Sequence, residues 1–228
     1  MKVGVIDYGV GNLGSVLRAL DELRVSPQLI TQPAQASSMD KLILPGVGNF
    51  ADCIEQLEKD GWVEELKSQV LGGGKSLLGV CVGMQLLATC SAEGSPSADG
   101  EQHPGGLGFV PGRVEHLRQL GCGLRVPHVG WNSVRGIAEQ EGLFAGIPEG
   151  TDFYFVHSYA YVPDDPADSI AVQKLMALQM TDKAAMETLI EGAALAVIVV
   201  FLFLRNWRAP SITRGLKPGF SIASGSFT

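Results

Sequence analysis

Apolar and polar positions along the first ninety or so residues follow two alternating rhythms. Short apolar runs at 3–7, 29–31, 41–44 and 76–80 predict strands, the third stopped by Pro45-Gly46. Between them, apolar residues recur at helical spacing. Leu13, Val16, Leu17, Leu20 and Leu23 predict a helix over 13–23. Residues 53–71 predict a second helix, interrupted near Gly61 and ended by Gly72-Gly73-Gly74, and 84–89 opens another. Strand and helix alternating at this pitch predict an α/β fold with a largely parallel sheet.

The rhythm changes at Ala92. Residues 95–106 are rich in Gly, Pro and Ser and predict a loop. Three strand-like stretches follow, at 110–117, 125–134 and 153–162, and suggest an antiparallel extension of the sheet. A second change falls at Pro163. Residues 164–168 read as a polar linker, 170–191 favour helix, 192–204 are almost wholly apolar, and 210–228 form a Gly- and Ser-rich tail. The expected organisation is a main domain over 1–163, a linker and helix over 164–187, an apolar segment over 188–208 and a flexible tail over 209–228.

Composition narrows the function. Hydrophobic residues make up 46% and charged residues 18% of 228 residues, enough for a substantial core. The net charge of −7 comes with no basic stripe, which speaks against a nucleic-acid partner. The four cysteines, Cys53, Cys81, Cys90 and Cys122, include no CxxC pair, so neither a zinc site nor a thioredoxin-like site is expected. The first residues enter a strand pattern directly, without the regions of a signal peptide. A reducing, cytoplasmic setting follows, and the cysteines are not read as a disulfide framework.

Three turns carry candidate chemistry. Gly9-Val10-Gly11-Asn12-Leu13-Gly14 has the glycine spacing of a dinucleotide-binding turn. The second strand, however, ends in Ile30-Thr31-Gln32 and lacks the acidic residue that would hold a ribose hydroxyl. A tight strand-to-helix turn explains the glycines without NAD, and no cofactor or metal is expected. Gly79-Val80-Cys81-Val82-Gly83, between a strand and a helix, follows the nucleophile-elbow pattern with Cys in place of Ser. The flanking glycines permit the sharp turn, and a helix N-terminus behind the thiol is expected to lower its pKa. A thiolate so placed is a nucleophile for acyl transfer. The other cysteines lack this setting and are read as packing residues. Leu44-Pro45-Gly46-Val47-Gly48-Asn49-Phe50 is a third strand-to-helix turn, whose backbone N–H groups could stabilise an oxyanion beside the elbow.

Taken in order, Asp7 to Leu13, Leu44 to Phe50, Gly79 to Gln85, Pro127-His128-Val129-Gly130-Trp131-Asn132 and His157-Ser158-Tyr159 resemble the glutaminase subunit of imidazole glycerol phosphate synthase, a class I glutamine amidotransferase, over residues 1–162. The resemblance implies a flavodoxin-like, mostly parallel sheet with flanking helices. It implies that Cys81 attacks the side-chain amide of glutamine, that Gly46, Val47 and Gly48 supply the oxyanion donors, and that Gln85, Ser158 and Tyr159 hold the substrate. Pro127, His128, Trp131 and Asn132 are implied to face a cyclase subunit, a (β/α)₈ barrel that receives ammonia for histidine biosynthesis, in a heterodimer.

One part of that pattern is missing. A Cys nucleophile needs a His base and a carboxylate that orients it. The family takes both from a His-Pro-Glu run downstream of His-Ser-Tyr, and here no His follows His157. The only His-Pro pair is His103-Pro104, upstream and followed by Gly105. The domain is therefore read as incomplete at its C-terminal end, and activity is expected to be very low. Residues 188–208 instead resemble a membrane helix of the resistance-nodulation-division efflux transporters, with an Arg205-Asn206-Trp207-Arg208 ending that suits a membrane boundary. The uninterrupted apolar core is shorter than the roughly 20 residues that span a bilayer. Three readings stand: a fusion of two gene fragments, a membrane anchor through 192–204, or an apolar helix or strand buried where the last native strands would lie. The alternative to a glutaminase is a membrane-associated or non-catalytic partner-binding fusion protein.

Overall fold

The computed structural model describes residues 1–94, 103–135, 147–168 and 172–173. The early apolar runs pair side by side as β1 (Val3–Ile6), β2 (Pro27–Ile30), β3 (Lys41–Gly46) and β4 (Ser76–Cys81), all parallel, in the order β2-β1-β3-β4. β1 lies between two neighbours and all four of its residues are buried, which is why it reads as an unbroken apolar run. Strand side chains alternate between the faces. Val3, Val5 and Ile43 pack on one side under α1 (Leu13–Glu22), with Leu13, Val16, Leu17 and Leu20. Ile6, Leu42 and Leu44 pack on the other, under α2 (Phe50–Lys59) and α3 (Trp62–Leu66), with Phe50, Leu57, Trp62 and Leu66. Each such side chain, fully buried, contributes about 1.5–3 kcal/mol.

Local chemistry sets the helix ends. The Asn12 side chain accepts from Ser15 N at 3.2 Å and caps α1, and Asn49 accepts from Ala51 N at 2.8 Å and caps α2. Gly61, at φ 76°, separates α2 from α3 where the sequence predicts an interruption.

Several expectations need correction. β3 does not stop at Pro45 but runs through Gly46. Its pairing with β1 ends at Ile43, so the missing Pro45 N–H leaves no gap on that side, while pairing with β4 continues to Gly46 opposite Cys81. The helix expected at 84–89 is instead α4 (Val82–Gln85). Beyond it the carbonyls of Leu86, Leu87 and Ala88 accept from Leu107, Phe109 and Gly108 N, so a neighbouring segment takes the groups that would prolong the helix. The later strands do not extend the parallel sheet. β5 (Cys90–Ser91), β6 (Gly112–His116) and β9 (Tyr159–Pro163) form one separate sheet, and β7 (His128–Arg135), β8 (Asp152–His157) and β10 (Val172–Gln173) another. The stretch 153–162 is thus two strands: the chain bends at Ser158, leaves β7 and pairs antiparallel with β6. Residues 172–173, in a stretch expected to be helical, add an edge to β7.

Among the described residues no helix is long and apolar enough to cross a membrane. The expected apolar C-terminal helix, the segment 188–208 and the tail 209–228 lie outside the described residues.

Candidate active site

In a sheet of order β2-β1-β3-β4, the chain leaves β1 and β3 in opposite directions, and the loops at their carboxyl ends enclose a crevice. Both glycine turns end there. A Cβ on Gly11 would stand 3.0 Å from Pro45 Cβ, so the turn after β1 touches the turn after β3. Cys81 joins them, because it is the register partner of Gly46.

The elbow is a contact of backbones. A Cβ on Gly46 would lie 2.5 Å from Gly83 N, one on Gly79 would lie 2.6 Å from Gly83 O, and one on Gly83 would collide with the Leu44 carbonyl. The flanking glycines therefore serve close approach rather than the turn itself, since neither Gly79 nor Gly83 has positive φ. The strained conformation falls on Cys81, at φ 56° and ψ −121°. A non-glycine residue held there costs roughly 1–3 kcal/mol, which the three-way glycine packing must overcome.

The thiol is not acidified as the sequence suggests. Cys81 is exposed as a residue, yet protein crowds its sulfur, and this burial pushes the thiol above its ordinary value. A bond from the Val82 backbone N–H works in the opposite direction, and the charge of Glu93 adds to the rise. α4 has a single turn, too short for a helix dipole to outweigh the desolvation.

Glu93 was not singled out from the sequence. It is half-buried, accepts from Phe50 N at 3.0 Å, and its own N–H is held by Ser91 Oγ at 3.0 Å. Burial raises its carboxyl, the Phe50 bond lowers it, and Asp52 raises it further. One signal could have found it: between the elbow and the loop at residue 95 it is the only acidic residue.

The remaining candidates fall into two groups. Gln85 is buried, and its Nε2 donates to the Tyr159 carbonyl at 3.4 Å, which ties α4 to β9. The Ser158 carbonyl accepts from Leu117 N at 2.9 Å. His157 spends both ring nitrogens nearby, Nε2 on His128 Nδ1 at 3.1 Å and Nδ1 on the Tyr159 carbonyl at 3.0 Å. A carbonyl only accepts, so Nδ1 carries a proton, and in the neutral ring Nε2 then accepts from His128. On β7 the candidate interface residues alternate. Trp131 is exposed beside Tyr154, with ring centroids 5.6 Å apart, whereas His128 and Asn132 lie on the other, half-buried face and Pro127 is exposed just before the strand. Among the described residues no group of three His, Cys, Asp or Glu side chains is placed to hold a metal ion.

A cysteine on a strained elbow, at the switch point of a parallel sheet and beside a glycine turn, is the arrangement of a nucleophile elbow with Cys in place of Ser. The sequence pattern described as glutamine amidotransferase class-I matches residues 4–191, and the chain belongs to that family. Within it, the chain is 45% identical over 161 residues, 71% of each chain, to the imidazole glycerol phosphate synthase subunit HisH of Moorella thermoacetica. It is 40% identical over 171 residues, 75% of this chain and 74% of the relative, to the HisH subunit of a Synechococcus species. A solved structure described as a glutamine amidotransferase superposes with a TM-score of 0.54 at 21% identity, over 75% of this chain and 79% of that one, which speaks for the fold alone.

Proposed function

We propose that the chain is the glutaminase subunit of an imidazole glycerol phosphate synthase, with Cys81 as its nucleophile. The observation that carries this reading is the elbow: a strained Cys81 set opposite Gly46 by the register of β3 and β4. Cys81 Sγ attacks the side-chain amide carbon of glutamine, and the oxygen charge that develops is taken by N–H groups of the turn at Gly46, Val47 and Gly48. The proton lost by the thiol ends on the amide nitrogen, which departs as ammonia as the C–N bond breaks, and the glutamyl thioester left on Cys81 is hydrolysed by water. Gln85, Ser158 and Tyr159 line the substrate side. Glu93, whose negative charge acts on the Cys81 thiol, suits the α-ammonium of a bound glutamine, which would cancel the carboxylate's opposition to the thiolate.

Ammonia passes to a cyclase subunit, docked at β7 and the residue before it through Pro127, His128, Trp131 and Asn132, and the setting is the cytoplasm. The domain covers residues 1–163, with the apolar segment at 188–208 as an addition foreign to it. Turnover is slow, because no His follows His157 in the sequence and His157 already engages both ring nitrogens. Residual catalysis then rests on the oxyanion donors and binding.

The test is ammonia release from glutamine by the full chain mixed with a cyclase subunit, beside Cys81→Ala. A slow release that vanishes in the variant supports the reading. Release that persists in Cys81→Ala removes Cys81 from the mechanism, and a cyclase that does not co-elute with the chain removes the partner.

A further inference from the structure

Among the described residues two polar side chains are buried, Gln85 and Ser91. Gln85 lines the substrate side, but Ser91, wholly buried, takes no part in the mechanism above. A buried hydroxyl needs a hydrogen-bond partner. Ser91 lies in β5, where its backbone N–H donates to the Pro104 carbonyl at 3.1 Å and the next N–H, of Ala92, to the Val114 carbonyl at 2.8 Å. From that fixed base its Oγ accepts from Glu93 N at 3.0 Å.

The next link is the Glu93 carboxylate, which crosses to α2 and accepts from Phe50 N at 3.0 Å, the first N–H of that helix. Gly94 continues along the same helix end. At φ 82° it leaves no room for a side chain, since a Cβ there would stand 2.5 Å from Ala51 Cβ and 2.9 Å from Asn49 Oδ1. Residues 91–94 are thereby seated on the start of α2. The carboxylate held there acts electrostatically on both Cys81 and Tyr159, and one bond to Oε2 leaves it acceptor capacity for a cation. A glutamate side chain that is already held loses less freedom when it engages a ligand. We propose that Ser91 is a positioning residue that holds Glu93 for the α-ammonium of the substrate, so that selection for a free α-amino group depends on a hydroxyl that acts only through Glu93. This rests on the reading of Glu93 as the counter-charge of that ammonium.

Two chloroketones test this without the missing base: glutamine with its amide NH₂ replaced by CH₂Cl, and the same molecule without the α-amino group. Buffer removes the thiol proton, and the Cys81 thiolate displaces chloride, the C–S bond forming as the C–Cl bond breaks. Alkylation of Cys81 is followed by peptide mapping in the full chain, and the ratio of the amino to the des-amino rate is read. A change in thiol acidity alters both rates alike and cancels in the ratio. Losing a hydrogen bond between charged groups costs roughly tenfold or more, so Glu93→Gln should lower the ratio about tenfold. Losing the hold on a side chain that remains present costs less, so Ser91→Ala should lower it about threefold to fivefold. The loss should fall on the half-saturating concentration of the amino reagent, not on its maximal rate, and Ser91→Thr, which keeps the hydroxyl, should restore it. Ser91→Cys keeps the shape with a weaker acceptor and answers if alanine fails to fold. A ratio that falls in Glu93→Gln but not in Ser91→Ala or Ser91→Cys overturns the positioning role and leaves Glu93 its own. Equal losses with both reagents assign Ser91 to structure alone and overturn that role likewise. A ratio unmoved by Glu93→Gln overturns the counter-charge reading and the inference with it.

Discussion

The elbow between β3 and β4 and the ladder between β7 and β8 each place reactive side chains, and they do so by opposite means. At the elbow, backbone meets backbone: Gly46, Gly79 and Gly83 approach so closely that no Cβ fits, and the strain is concentrated on Cys81. At the ladder, side chain meets side chain: His128 and His157 are cross-strand partners that share one hydrogen bond and flank the buried Phe155 ring. Backbone contacts admit one geometry and no substitution. A side-chain pair can titrate, change tautomer or turn. Cys81 therefore stands on the rigid region, while His128 and His157 belong to the adjustable one and are bonded to each other.

Substitutions should separate the two regions by size of effect. Gly83→Ala drives a methyl group into the Leu44 carbonyl and should cost about 3 kcal/mol or more, or prevent folding, in urea denaturation. Were it to cost less than 1 kcal/mol, the elbow would be softer than its contacts imply. Phe155→Ala removes the ring that packs beside both histidines and should cost roughly 3 kcal/mol, with room for partial collapse. Its specific mark is a changed pair of imidazole signals in NMR, and unchanged signals would show that the ring does not hold the pair.

Charge distinguishes the regions with smaller effects. Glu93→Gln removes a negative charge that raises the Cys81 thiol, so the pH midpoint of Cys81 alkylation should move downward. A midpoint that stays in place would put Glu93 outside the nucleophile's field. Burial lowers the pKa of His128. From its unfolded value, about 6.5, down to the lower folded value, the unfolded chain binds a proton that the folded chain refuses. Stability that is full above the unfolded value is then lost as pH falls through that window, and levels off below it. His128→Gln should flatten this acid-side slope in urea midpoints measured across pH, and an unaltered slope would assign it to other groups.

The parallel half was largely legible in the sequence, because its strands and helices obey local rules. β1 is apolar throughout since it is covered on both faces, and α1 and α2 begin at asparagine caps. The antiparallel half was legible only as strands. Whether 153–162 is one strand or two depends on which neighbour accepts each part, and β6 draws Tyr159–Pro163 away from β7. Likewise the shortness of α4 goes with residues 107–110, which bond the carbonyls of Leu86, Leu87 and Ala88 just beyond it from some twenty positions away in the chain.

The site shows the same division. Cys81 and its glycines stand out in one short string, and their spacing alone points to an elbow with a thiol nucleophile. Glu93 does not stand out, since it meets its neighbours Phe50 and Cys81 only in space. By itself the sequence determined the alternation of strands and helices in the parallel half, the elbow pattern around Cys81 and the absence of any histidine beyond His157, because periodicity, turn chemistry and residue identity are written locally. Only the tertiary structure decided that the glycines serve close approach, that burial outweighs a one-turn helix at the thiol, and that His157 is bonded to His128. Each of those depends on which groups lie within a few ångströms in space, and packing settles that long after the local pattern has been read.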